Sequence, residues 1–296
     1  MAGKFRLLMA TRTGQKRAWD EGYQGFPVDP FAIAAKHDIH VEQKPAGMPG
    51  VSGALIYAEP RPIIIYSAEL DNEGFERFSV AHELGHYFLP DHPDEIRRAG
   101  GQHFSRAGFT EGTSSIELEA DHFAAGLLMP GGLVQAYLDQ NQIGLEGICR
   151  LADDARVSLT AAAIRAAECA SYPLCIIVSS GAEVRYAFPS DAFRGLGKRI
   201  FLRKGDSLPA GVTSGFNANS ENVVTARRST GESDLADWFD TDRHMRLDEE
   251  VVGLGRYGFT LTVLSSEALA ETDGDENDED EEAVVERWTP RFAYGR

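Results

Sequence analysis

The spacing of apolar side chains divides the chain into two parts. The first alternates short strand-like runs with amphipathic helices, and the second is dominated by strand-like runs. In "PVDPFAIAAKHDIHVEQKP" (27–45) a short helix gives way to a strand, with Asp29 suited to cap the helix and Pro30 at its first position. "VSGALIYA" and "RPIIIYS" are rich in β-formers and separated by a proline-containing turn, which predicts two strands. "DNEGFERFSVAHELGHYFL" then switches to helical spacing. Phe75, Phe78, Ala81, Gly85 and Phe88 fall near one face, and Pro90 ends the helix.

"SSIELEADHFAAGLLMPGG" (114–132) predicts a second strong helix. Ser114 and Ser115 are its cap candidates, Glu117 and Glu119 enrich its first turn, and Pro-Gly-Gly stops it. Residues 133–170 predict two or three further helices, and "ICRLADDARVSLTAAAIRAAECA" has the rhythm of a helix-turn-helix. Beyond Pro173 the runs "CIIVSSGAEVRYAF", "KRIFLRKGD", "NVVTARRS" and "GRYGFTLTVLSS" predict strands joined by turns.

Composition narrows the class. The 296 residues, 43% hydrophobic and 25% charged, suit one large globular domain or two modest ones. No run approaches the ~20 apolar residues of a membrane helix. The basic start "MAGKFRLLMATRTGQKR" has too short an apolar run for a signal peptide. Three cysteines without a CxxC spacing read as buried thiols, so a cytoplasmic protein is expected. Of the net charge of −17, nine acids lie in "ETDGDENDEDEE", which reads as a disordered linker. The remainder, at about −8, is only mildly acidic, which argues against strong nonspecific binding to nucleic acid.

The candidate chemistry sits in "AHELGH". His82 and His86 are four apart on a predicted helix, so both project from one face and can bind one cation. Glu83 falls at the rim of that face, beside the metal rather than on it. This is the HExxH arrangement of zinc peptidases, with the glutamate as general base. A third ligand is needed, and two residues offer it. His92 lies ten positions after His82, the spacing of an extended motif that uses a glycine where this chain has Leu89. Alternatively Glu117, on the second helix, completes a His2Glu set. Asp121, one turn further on the same face, then accepts a hydrogen bond from a ligand histidine. Glu119 is turned about 200° from Glu117 and is expected to be a solvated surface acid. His103, His122 and Tyr66 are candidates to stabilise an oxyanion, and "RPIIIYS" is a candidate edge for an extended substrate.

"FSVAHELGHYFL" followed by "IELEADHFAAGLLMP" resembles the ImmA/IrrE-type metallopeptidases of the gluzincin class, and the resemblance runs over roughly residues 27–170. It implies that His82, His86 and Glu117 bind zinc and that Glu83 is the general base, while the sequence leaves open another divalent ion such as manganese. It also implies site-specific cleavage of a helix-turn-helix repressor or antitoxin protein. The expected architecture is α+β, with a zincin-like peptidase domain over 1–140 and a helix-turn-helix-like segment over 141–170. An α+β domain over 171–268 that senses a signal or recognises substrate follows, then an acidic disordered linker over 269–283 and a tail over 284–296.

Two other function classes compete. A DNA-binding regulator would use residues 145–168, but its second helix offers Arg165 and little else to a base or phosphate, so direct DNA binding is not expected. A non-catalytic, zinc-stabilised module of a toxin–antitoxin pair would have no use for Glu83.

Overall fold

The computed structural model describes residues 2–45, 50–69, 72–106, 115–141 and 144–266. The acidic linker, the tail and the cap candidate Ser114 lie outside the described residues. Among the described residues the chain divides into two compact units, one from its start to Leu133 together with Ala152–Ala161, and the other Val134–Leu151 together with residues 162–266. Each unit is α+β.

The first unit opens with helix α1 (Ala2–Asp20), which the apolar pattern did not mark. Helix α2 (Pro30–Lys36) follows, capped by Asp29, whose carboxylate accepts from the amides of Phe31 and Ala32. Then come β1 (His40–Gln43), β2 (Val51–Ile56), β3 (Ile63–Tyr66), α3 (Glu73–Phe88), α4 (His92–Arg98), β4 (Gln102–Arg106) and α5 (Ser115–Leu128). Asn72 caps α3 through the Phe75 amide at 3.1 Å. The strands order as β1-β3-β2-β4, with β1 parallel to β3 and the other pairs antiparallel. The expectation that "RPIIIYS" is an edge is therefore corrected. Its strand β3 is hydrogen-bonded on both sides, and β4 is an edge of this sheet.

The core of this unit joins Leu55 and Ile64 of the sheet to Val80 and Leu84 of α3 and to Phe123 and Leu127 of α5. Helix α1 packs along α5 through Ala10, Gly14 and Ala18, small residues spaced four apart. A Cβ at Gly14 would fall 2.1 Å from the Phe123 carbonyl oxygen, and one at Gly126 would fall 2.2 Å from that of Thr11. The two helices thus meet backbone to backbone, closer than larger side chains permit. At the end of α1 the buried Glu21 carboxylate pairs with Arg17, Lys36 and His37, which ties α1 to α2.

Helices α6 (Gly131–Gln140), α7 (Leu145–Ala155) and α8 (Leu159–Cys169) continue the chain, and the division between units passes through all three. The helix, turn and helix rhythm of 141–170 is present as α7 and α8. Arg165, however, is buried on α8 and paired with Glu168 at 2.6 Å.

The second unit holds five antiparallel strands: β5 (Leu174–Ser180), β6 (Glu183–Pro189), β7 (Arg228–Asp234), β8 (Arg246–Gly253) and β9 (Thr260–Ser265), in the order β6-β5-β9-β8-β7. Short helices α9 (Asp191–Arg194), α10 (Val212–Asn217), α11 (Ser220–Val224) and α12 (Leu235–Trp238) complete it. Phe193, Leu235 and Trp238 pack with Ile177 and Leu264 of the sheet in its core. Two predicted strands are corrected here. "KRIFLRKGD" is irregular, closed by a turn in which the Arg203 amide donates to Asp206. "NVVTARRS" begins as helix because Asn219 caps α11, and strand β7 starts only at Arg228. Strand β8 was missed, because its three adjacent acids broke the apolar alternation.

None of the three cysteines forms a disulfide, and of the three Cys175 alone is fully buried. Among the described residues no helix is long and apolar enough to cross a membrane.

Candidate metal centre

Helix α3 carries His82 and His86 one turn apart, and α5 lies against it and brings Glu117 to the same point. The two Nε2 atoms are 3.1 Å apart. Glu117 Oε2 is 3.4 Å from Nε2 of His82, and its Oε1 is 3.2 Å from Nε2 of His86. An ion held tetrahedrally at about 2.0–2.1 Å would separate its ligand atoms by about 3.3 Å. The spacing of the two nitrogens, and of each nitrogen from its nearer carboxylate oxygen, is close to that value, and His82, His86 and Glu117 form a group that could hold a metal ion.

The electrostatics fit a cation as well. Burial works against ionisation of Glu117, but His103, His82 and His86 outweigh it and hold the carboxyl far below the usual range. Burial also works against a charged His82, yet Asp121 and Glu117 keep that ring well above its ordinary value. These carboxylates call for a positive charge at this point, which a proton on His82 or a metal ion supplies. Burial drives His86 down to about 3, so its ring is neutral, as a ligand must be. Glu117 Oε1 and His103 Nε2 are buried and lie 2.7 Å apart, yet neither makes a well-directed hydrogen bond. An ion would satisfy the carboxylate oxygen.

Asp121 Oδ1 stands 2.8 Å from His82 Nδ1 and accepts its proton, which leaves the Nε2 lone pair facing the cluster. His92 is turned to the other side. Its Nδ1 is 3.2 Å from Nδ1 of His86, so it faces the back of that ring and stands apart from the three donors. Glu119 overturns its expectation as a solvated acid. It is 5% exposed and held between Arg6 of α1 and His92. The helical-wheel angle was right, but the wheel could not show that α1 covers that side.

Glu83 is fully buried under the sheet. Ser105 Oγ donates to its Oε1 at 2.6 Å, and Oε2 has no hydrogen-bond partner among the described residues. Burial pushes its carboxyl up to about 7 against the pull of His82 and of the Ser105 bond. Gly53 on β2 makes the room, because a Cβ there would stand 2.5 Å from Glu83 Oε1. Neither Ser105 nor Gly53 was singled out from the sequence. The period of two in β4 could have found Ser105, since it shares a face with His103.

Of the three oxyanion candidates, His103 alone joins the cluster, its ring 4.1 Å from that of His86. His122 instead meets Thr11 Oγ1 at 3.0 Å, and Tyr66 packs edge-on against Phe31.

Comparison with known proteins adds the following. Residues 34–167 match the family described as the IrrE N-terminal-like domain, a peptidase family. No curated protein matches the sequence. Among solved structures, a transcriptional regulator of Mycobacterium tuberculosis is similar, with a TM-score of 0.56 at 14% identity. The match covers 87% of this chain and 76% of the other, and at that identity it shows likeness of fold alone.

Proposed function

We propose, from the place of residues 34–167 in the ImmA/IrrE family, that this chain is a metal-dependent endopeptidase that cleaves a helix-turn-helix repressor or antitoxin at a specific site. The observation that carries the reading is the convergence of two imidazoles and one carboxylate on one point, with Glu83 adjoining His82 in the chain. Two nitrogens, one oxygen and no thiolate suit zinc, and leave a position open for water or substrate.

A divalent cation held by His82, His86 and Glu117 would supply Lewis acidity, acidifying water and polarising the scissile carbonyl. The chain's own groups supply the rest. Glu83 presents Oε2 as a proton acceptor while Ser105 fixes Oε1, so the carboxylate takes a proton from water and returns one to the leaving amine. Asp121 holds the His82 ring in the tautomer that offers Nε2. His103 is poised to donate to the oxygen that gains charge in the tetrahedral state. Edge strand β4, which carries both His103 and Ser105, can pair with an extended segment of substrate.

Direct DNA binding through α8 finds no support, because Arg165 is buried against Glu168. The test is metal content of the purified chain, followed by incubation with candidate repressors and mass spectrometry of the products. Glu83→Gln should keep the metal and lose cleavage by roughly 10²- to 10⁴-fold. Cleavage by that variant at the wild-type rate would overturn the assignment of the base, and a chain that takes up no zinc would overturn the peptidase reading.

A further inference from the structure

We propose that His92, Glu119 and Arg6 form a positioning chain that fixes which ring nitrogen His86 offers to the metal. The inference rests on the reading of His82, His86 and Glu117 as the metal centre.

The argument starts from proton direction. His86 Nε2 faces His82 and Glu117, so as a ligand it must be unprotonated, and the ring proton sits on Nδ1. The atom facing that Nδ1, at 3.2 Å, is Nδ1 of His92. Two protonated nitrogens cannot share that contact, so His92 accepts there and carries its own proton on Nε2. That nitrogen lies 3.5 Å from Glu119 Oε2, a carboxylate oxygen that can only accept. Arg6 pairs with the same carboxylate: Nη2 donates to Oε2 at 3.1 Å, and Nε lies 2.8 Å from Oε1 without a well-directed hydrogen bond. The donations then run from His86 to His92 to Glu119, and Arg6 donates to the same carboxylate from the other side.

The backbone is shaped to close this chain. Pro90 stops α3, Asp91 takes a left-handed φ of 69°, and α4 begins at once with His92, which returns the ring beneath His86. His92 is fully buried, so no bulk water replaces it as the acceptor. Arg6 lies outside the residues matched to the family, on the helix that packs along α5. The two ligand histidines are thus oriented differently. His82 meets Asp121 directly, whereas His86 is held through a second imidazole and a clamp supplied by α1.

The test measures zinc affinity of the full chain by competition with a chelator. The variants are His92→Leu, His92→Asn, Glu119→Gln and Arg6→Met, with Glu117→Ala as the control for the centre. His92→Leu keeps the packing and removes the acceptor, and is expected to weaken zinc by roughly 10- to 100-fold. His92→Asn places an amide oxygen near the lost Nδ1 and should restore most of that affinity, which a role in packing alone would not produce. Glu119→Gln and Arg6→Met should give smaller losses in the same direction. If Glu117→Ala loses zinc while His92→Leu binds as the wild type does, the positioning chain is wrong and the metal centre stands. If Glu117→Ala binds as the wild type does, the centre itself has been misread. Long-range proton–nitrogen NMR of the zinc-loaded wild type provides a test that needs no variant to fold. It should find the proton on Nδ1 of His86 and on Nε2 of His92, and the opposite tautomer of His92 would overturn the proposal.

Discussion

Gly53→Ala should damage a residue on another element. Gly53 sits in β2 at a register shift against β4 but has no left-handed φ, so alanine there is compatible with the backbone. By itself the change would stabilise the chain by about 0.4–1 kcal/mol through the unfolded state. The new methyl, however, would stand 2.5 Å from Glu83 Oε1, while ordinary contact begins at 3.4 Å. The carboxylate must retreat by about 0.9 Å, the difference between those two distances. It cannot do so without disturbing the 2.6 Å bond from Ser105. Overpacking of this kind costs about 1–3 kcal/mol, so the net effect is a loss of up to about 2.5 kcal/mol. Misplacing a catalytic group by about 1 Å costs on the order of 10²-fold in rate, while the metal ligands are untouched. Urea unfolding of Gly53→Ala, Glu83→Ala and the double variant separates the collision from a general strand effect. In the Glu83→Ala background the alanine at position 53 should cease to destabilise. Equal cost of Gly53→Ala in both backgrounds would refute the reasoning, as would a Gly53→Ala chain with wild-type cleavage.

Three other substitutions test separate parts of the fold and the site. His103→Ala should retain zinc and lower kcat by roughly 10²- to 10³-fold, read from steady-state cleavage of an identified substrate. Glu21 carries the clearest pH signature away from the metal centre. Burial alone would raise its carboxyl, but hydrogen bonds from His37 and Lys36 win and hold it at about 2. A depressed folded-state value gives stability that is present above the unfolded value of about 4.3 and is lost as pH falls towards 2. Because Lys36 is solvent-exposed, that contribution is discounted to about 1 kcal/mol. Glu21→Gln should therefore cost about that much at pH 7 and progressively less below about pH 4.3, in urea titrations across that range. Arg165→Ala should destabilise the chain by about 2 kcal/mol by stripping a partner from the half-buried Glu168, and should leave any gel shift with duplex DNA unchanged.

The sequence made some parts legible because one element carried them. His82 and His86 are visible together since four residues on a helix equal one turn, whatever surrounds it. Asp29 and Asn72 cap their helices by local geometry, and Asp29 was readable for that reason. Helix α1 was not legible, because its contact face is made of Ala10, Gly14 and Ala18 rather than large apolar residues. A close helix crossing leaves no hydrophobic stripe to find. Strand β8 hid for the opposite reason, since "LDEEVV" turns the buried Glu249 inward and breaks the alternation. Ser105 and Gly53 needed the sheet order, which sets β4 beside β2 and both over Glu83.

The run "IELEAD" shows how one reading gave way to three. Alone it is an acidic helix start that favours the dipole. In the structure Glu117, Glu119 and Asp121 face three different environments. Glu117 points into the imidazole cluster, and Asp121, a turn later on the same face, reaches the back of His82. Glu119, on the far side, would be a plain surface acid if the unit ended at α5. Helix α1 covers it, Arg6 neutralises it, and His92 comes within 3.5 Å. A buried carboxylate is costly unless it is paired, and Arg6 supplies the opposite charge, with Nη2 donating to Oε2. Helix α1, which carries Arg6, also approaches α5 closely enough to exclude a Cβ at Gly14 and Gly126. At a wider spacing the guanidinium would stand farther from Glu119, and the carboxylate that faces His92 would lose its cationic partner.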